Sequence, residues 1–222
     1  GMILNTGPTG SGKTSTLYAF LKHLLTPSIK IITIEDPIEY HIDGISQTQV
    51  APESGYTFAN GLRSILRQDP DFVLVGEIRD LETAEIAMHA ALTGQTVFST
   101  LHTNNAAGCI PRLIDMGTKP AIIAPALNLV IAQRLVRRIC PHCRTPKPFS
   151  EEAWKSLQNF FALLPKRIVR PSRESITLFE ASLKGCKECL GGYKGRVAVF
   201  ELFSMSPAID ELMHAGATES AI

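Results

Sequence analysis

Short runs of apolar and β-branched residues alternate along this chain with longer stretches whose apolar positions recur every three or four residues. Met2-Ile3-Leu4 reads as a short buried strand, and Ser15 to Leu25 has the composition of a helix. After the breaking segment Thr26-Pro27-Ser28, Lys30-Ile31-Ile32-Thr33-Ile34 is β-branched and apolar, so strand, helix, strand is the economical reading. From Thr57 to Arg67, the residues Phe58, Leu62, Ile65 and Leu66 fall on one helical face. Asp69-Pro70 stops that helix before the continuous apolar run Phe72-Val73-Leu74-Val75, a predicted buried strand. Asp80 is placed to cap a helix that runs through Leu92 and ends at Gly94, and Thr96 to Thr100 supplies the next strand. Strands separated by helices pair in parallel. The expected fold class is therefore α/β, with a mostly parallel sheet covered by helices on both faces.

Beyond about residue 139 the pattern changes to prolines at 141, 146 and 148, paired cysteines and a helix predicted from Glu151 to Leu163 with Ser150 as its cap. Val197 to Leu202 reads as a strand returning to compact structure, and Ser206-Pro207 opens a last helix that Gly216 can close. The expected division is residues 1–138 as core, 139–203 as a cysteine-bearing module with an inserted helix, and 204–222 as a C-terminal helical segment.

Composition narrows the function classes. The 222 residues are 45% apolar with a formal net charge of +1, enough for one substantial core and a small appended module. No run of one sign resembles the footprint of a dedicated nucleic-acid binder, and Arg134, Arg137 and Arg138 form only a local basic cluster. The most apolar stretch, Ala121 to Ala132, is interrupted by Pro125 and Asn128, and a bilayer span needs about 20 apolar residues. The chain opens one strand before its first motif, so it is expected to be part of something larger.

That motif is Gly7-Pro8-Thr9-Gly10-Ser11-Gly12-Lys13-Thr14, a complete G-x-x-x-x-G-K-T pattern between a predicted strand and a predicted helix. A triphosphate needs many N–H donors brought close without side chains in the way, and glycines at 7, 10 and 12 let the backbone curl into such a nest at a helix N-terminus. Lys13 is then placed to neutralise β and γ oxygens, and the Thr14 hydroxyl to ligate magnesium. Two carboxylates follow parallel strands directly, Glu35 in Glu35-Asp36-Pro37 and Glu77 in Gly76-Glu77, and the carboxyl ends of such strands are where open α/β sheets bind ligands. His102, just beyond Thr96–Thr100, arrives at the same edge, where it could sense the γ-phosphate or bridge to a neighbour.

These residues resemble the secretion ATPases of type II secretion and type IV pilus assembly or retraction, over nearly the whole chain. Four blocks match in order: the phosphate loop; the aspartate box Ile34-Glu35-Asp36-Pro37-Ile38-Glu39-Tyr40; the Walker B block from Leu66-Arg67-Gln68-Asp69-Pro70-Asp71 to Gly76-Glu77-Ile78-Arg79-Asp80; and the histidine box from Leu92-Thr93-Gly94 to Ser99-Thr100-Leu101-His102-Thr103-Asn104. The resemblance implies a RecA-like P-loop NTPase core that hydrolyses ATP with Mg2+, assembles as a homohexamer with nucleotide at subunit boundaries, and works in the cytoplasm, peripheral to the inner membrane on a platform protein. It further implies that Glu77 joins the magnesium and water network and that Glu35 is a candidate base; which carboxylate takes the proton stays open. Gln95 stands where many members carry a histidine. Relatives also place a further domain before the loop and supply arginines from it, so the chain alone is expected to bind ATP and hydrolyse it poorly. Arg63, Arg67 and Arg79 are candidate phosphate or interface arginines. The alternative on the same core is a nucleic-acid translocase or DNA-uptake ATPase, disfavoured by the missing basic and aromatic groove.

Cys140-Pro141-His142-Cys143 and Cys186-Lys187-Glu188-Cys189 are two C-x-x-C knuckles, separated by residues 144–185. Four thiolates fit a structural Zn2+ with no open coordination position; the alternative is disulfides, which a reducing compartment disfavours. The resemblance favours zinc too, because secretion and pilus-assembly members carry such a module. His142 is expected on the knuckle surface, and Cys109 as a small core residue in a helical run.

Overall fold

The computed structural model describes residues 1–216. In chain order its elements are β1 (Met2–Thr6), α1 (Lys13–Leu24), β2 (Ile31–Glu35), β3 (Ser46–Gln49), α2 (Phe58–Leu66), β4 (Phe72–Val75), α3 (Leu81–Leu92), β5 (Thr96–Leu101), α4 (Cys109–Asp115), α5 (Pro120–Ala126), β6 (Leu127–Ile139), β7 (Thr145–Lys147), α6 (Glu151–Leu163), β8 (Leu178–Glu180), β9 (Tyr193–Ser204) and α7 (Pro207–His214). The main sheet runs in the order β3-β2-β4-β5-β1-β6-β9. Its pairs β1/β5, β1/β6, β2/β3, β2/β4 and β4/β5 are all parallel, so the carboxyl ends of β1, β2, β4 and β5 share one edge. The α/β class is as expected.

Two compact units divide the chain. The first comprises residues 1–135 together with the chain from Ala198 onward, and the second is Val136–Val197. Within the first unit, strand alternation sends successive side chains to opposite faces. Ile32, Ile34, Val73 and Val75 pack with Leu62 and Ile65 of α2 and with Ala84, Ala87 and Met88 of α3. Ile31, Leu74 and Phe98 pack on the other face against Leu17, Tyr18 and Leu21 of α1. Fully burying one such leucine or isoleucine contributes about 1.5–3 kcal/mol, and both faces of β2, β4 and β5 are covered in this way. Phe203, Met205, Ile209 and Met213 pack on the first of these clusters, which ties the end of β9 and α7 to the first unit. Residues 217–222, the end of the C-terminal segment expected from the sequence, lie outside the described residues.

Helix starts follow cap chemistry, since an N-cap oxygen satisfies a backbone donor that the first turn leaves unpaired. Asp80 accepts from the Thr83 amide at 2.8 Å, Ser150 from Ala153 at 3.1 Å and Ser206 from Ile209 at 3.4 Å. α1 differs. It begins at Lys13 rather than Ser15, and its N-cap, Gly12, has φ +88° and offers no capping side chain. No helix among the described residues is long and apolar enough to cross a membrane.

Candidate functional site

The phosphate loop joins the end of β1 to the start of α1, at the carboxyl edge of the sheet. Pro8, Thr9 and Gly10 are exposed at its tip and Thr14 is half-buried, whereas Ser11 and Lys13 are buried. Lys13 curls back so that its Nζ donates to the Gly7 carbonyl at 2.8 Å and the Pro8 carbonyl at 3.3 Å. Desolvation holds this ammonium below its ordinary range, opposed by the charge of Glu77. Gly7 has φ +139°, and a Cβ there would lie 2.3 Å from the Gln133 carbonyl. No other residue type fits that position.

Beside the loop, Glu77 follows β4 and its side chain is 15% exposed. Arg79 pairs with Glu77 and lies 3.7 Å from Asp36, while His102 Nε2 lies 3.8 Å from Glu77 Oε2. Burial lowers the His102 pKa, and the charges of Lys13 and Arg79 push the same way against that of Glu77. The imidazole is therefore neutral at pH 7. The structure thus gathers Glu77, His102, Arg79 and Asp36 beside Lys13. Arg63 instead bonds Glu82 at 2.8 Å and Arg67 bonds Ser64 at 3.0 Å, both on the exposed side of α2. Gln95 precedes β5, at the opposite edge of the sheet from His102, and accepts from Thr93 Oγ1 at 3.0 Å.

Glu35 is placed differently. It is 2% exposed and, like Thr33 two residues earlier, faces α1. Its carboxylate accepts from the Tyr18 hydroxyl, from Thr33 Oγ1 at 2.5 Å and from Gln47 Nε2 at 3.2 Å. Those donors occupy both oxygens, so Glu35 is held apart from the Glu77 cluster. Tyr18, Gln47 and Gln133 were not singled out in the sequence. Gln133, 2% exposed on β6, bonds the Ser11 carbonyl at 2.8 Å, a contact across more than a hundred residues that no local pattern reveals.

In the second unit, the Sγ atoms of Cys140, Cys143, Cys186 and Cys189 all lie within 4.8 Å of one another. The separations are 3.9 Å for Cys140 and Cys186, 3.5 Å for Cys143 and Cys189, and 3.6 Å for Cys186 and Cys189. A tetrahedron of sulfurs about 2.3 Å from a zinc ion has edges of about 3.8 Å, so the donor set fits that metal. Disulfide sulfurs sit about 2.05 Å apart, and these cysteines are free. Desolvation raises the Cys189 thiol, but the Cys186 amide and the neighbouring sulfurs outweigh it and bring it down to about 7. His142 is exposed and outside the cluster. Cys109 is buried in the first unit, 3.4 Å from Thr103 Oγ1, and burial pushes its thiol up to about 11, the state of an inert core residue.

A family model described as Type II/IV secretion system protein matches residues 1–222. The chain belongs to this family. It is 50% identical over 223 residues to the type II secretion system ATPase E of Vibrio cholerae, covering 100% of this chain and 42% of that protein. It is 48% identical over 213 residues to the type IV pilus assembly ATPase PilB of Acinetobacter baylyi, covering 96% of this chain and 35% of that one. The chain thus spans less than half the length of these curated relatives. Among solved structures, the pilus retraction motor PilT with bound ADP superposes with a TM-score of 0.66 at 33% identity, over 97% of this chain and 50% of that one. The family and its fold are those expected from the four sequence blocks.

Proposed function

We propose that this chain is the ATP-hydrolysing part of a motor subunit powering type II protein secretion or type IV pilus assembly. The observation that carries the reading is Lys13 at the start of an uncapped helix, faced by Glu77, Arg79, Asp36 and His102 at the carboxyl edge of a parallel sheet. Residues Gly7 to Thr14 hold the phosphates: Lys13 leaves the Gly7 and Pro8 carbonyls for the β and γ oxygens, and its charge is stronger for being desolvated. The Thr14 hydroxyl and Glu77 would hold Mg2+, which supplies charge neutralisation at the phosphates. Neutral His102 can accept or donate a hydrogen bond beside Glu77 without adding charge. Of the two carboxylates, Glu77 is the better placed to orient an attacking water, because it lies beside Arg79 and His102 while Glu35 is held by Tyr18, Thr33 and Gln47.

The Val136–Val197 unit is read as a zinc module, its four thiolates fixing two loops that bury little apolar surface of their own. The same reading places the subunit in a homohexamer in the cytoplasm, peripheral to the inner membrane through a platform protein, with no nucleic acid as partner. The names of the relatives support the secretion or pilus role and the ATPase activity. Removing the ammonium by Lys13→Ala should abolish ATP turnover, and unchanged turnover would sink the proposal. Stimulation of turnover by DNA would favour a nucleic-acid translocase instead.

A further inference from the structure

We propose that Gln133 sets the shape of the phosphate loop and so tunes its affinity for nucleotide; it is a positioning residue that touches the loop from beneath. The inference rests on the nucleotide-binding reading above. A glycine-rich loop has more backbone freedom to lose than any other segment, so a loop that binds tightly must be held in its bound shape beforehand. Gln133 supplies that hold from β6, the strand beside β1. Its Nε2 donates to the Ser11 carbonyl at 2.8 Å, and its Oε1 accepts from Thr16 Oγ1 at 2.9 Å and from Asn5 Nδ2 at 3.1 Å. The amide has only one workable orientation. The Ser11 carbonyl can only accept, so the nitrogen must face it, and the oxygen is left for two donors.

The backbone of Gln133 acts as well. Its carbonyl oxygen occupies the space a Gly7 side chain would need, and its side-chain nitrogen lies 3.0 Å from where a Gly12 Cβ would stand. One buried residue therefore contacts the loop at Gly7, Ser11 and Gly12 and the helix after it at Thr16. The Gly7 carbonyl is also where Lys13 Nζ rests, so the position of Gly7 sets where the ammonium sits.

Gln133→Leu keeps the volume and removes all three hydrogen bonds. Nucleotide affinity is read by titrating the chain with a fluorescent ATP analogue and Mg2+, then with ADP in competition. The expected result is a rise in Kd of about tenfold or more for both nucleotides, because the Ser11 carbonyl and the Thr16 hydroxyl lose their partners. Gln133→Glu should bind more weakly still, since it turns a carboxylate oxygen toward the Ser11 carbonyl and sets a negative charge beneath the phosphates. Thr16→Val breaks one of the same bonds from the α1 side. Its effect combined with Gln133→Leu should be smaller than the product of the two singly, as expected for residues sharing an interaction. It also tests the contact should Gln133→Leu melt early. A residue that only supports the fold would lower the melting temperature and leave the Kd of the folded protein unchanged. Binding within twofold of the parent by both Gln133→Leu and Thr16→Val, or fully multiplicative effects, overturns this inference alone. Failure of the parent chain to bind ATP overturns the nucleotide reading and this inference with it.

Discussion

Tyr18→Phe isolates one atom of the buried Glu35 cluster. The Tyr18 side chain is fully buried in the α1-side core, and its hydroxyl donates to Glu35 Oε2 while accepting from Gln47 Nε2 at 3.4 Å. Burial and the Glu35 carboxylate together raise the Tyr18 pKa, so the phenol is protonated and donating at neutral pH. The phenylalanine ring refills the cavity, so the change removes a hydrogen bond to a charged acceptor and little packing. Such a bond contributes about 1.5–3 kcal/mol, and a residue 2% exposed has no access to water as a substitute. For a domain of this size about 1 kcal/mol moves Tm by about 2–4 °C, so the variant should melt about 3–12 °C lower by circular dichroism. Repeating the substitution in a Glu35→Gln background makes the acceptor neutral, and the loss should fall by about half. A Tm within about 1 °C of the parent, or an equal loss in both backgrounds, would show that Tyr18 does not hold Glu35.

Purified protein should carry about one zinc ion per chain bound by the four cysteines, and Cys186→Ser or a strong chelator should remove it and expose the remaining thiols to a thiol reagent; metal analysis finding no zinc in freshly prepared protein contradicts this. His102, with its pKa lowered from 6.5, binds a proton less readily folded than unfolded. Its contribution to stability is therefore complete above pH 6.5 and is lost as the pH falls from 6.5 through the folded value. An NMR titration of its ring should give a midpoint below 6.5, and a midpoint at or above that value refutes the burial argument. Leu62→Ala, at a fully buried position between α2 and the sheet, should cost about 2–5 kcal/mol in urea denaturation, whereas a loss under about 1 kcal/mol would contradict that packing.

The central strands were legible because Ile32, Ile34, Val73 and Val75 are apolar on a strand buried on both faces, and α3, α6 and α7 because Asp80, Ser150 and Ser206 carry recognisable cap chemistry. β3 was not. Its residues Ser46 to Gln49 are polar because it is an exposed edge strand, and it has no apolar face to show a period. β6 was hidden for the opposite reason: the apolar stretch around Ala121 to Ala132 contains the end of α5 and the start of β6 with no turn residue between Ala126 and Leu127. Spacing singled out the loop, Glu77 and His102 as candidates, because each directly follows or opens an element. It could not find Gln133 or the grip of Tyr18 on Glu35, which arise from tertiary contact alone. A carboxylate at a strand end reads as pointing to the ligand edge, yet alternation with Thr33 turns Glu35 under α1.

The loop from Gly7 to Thr14 is proposed above as a phosphate site closed by Lys13. Isothermal titration of the chain with ATP and Mg2+, beside Lys13→Ala, tests it directly. Saturable one-to-one binding by the parent chain is expected, lost in Lys13→Ala while that variant keeps the parent's circular dichroism spectrum; equal binding by both, or none by the parent, would contradict the phosphate-site reading.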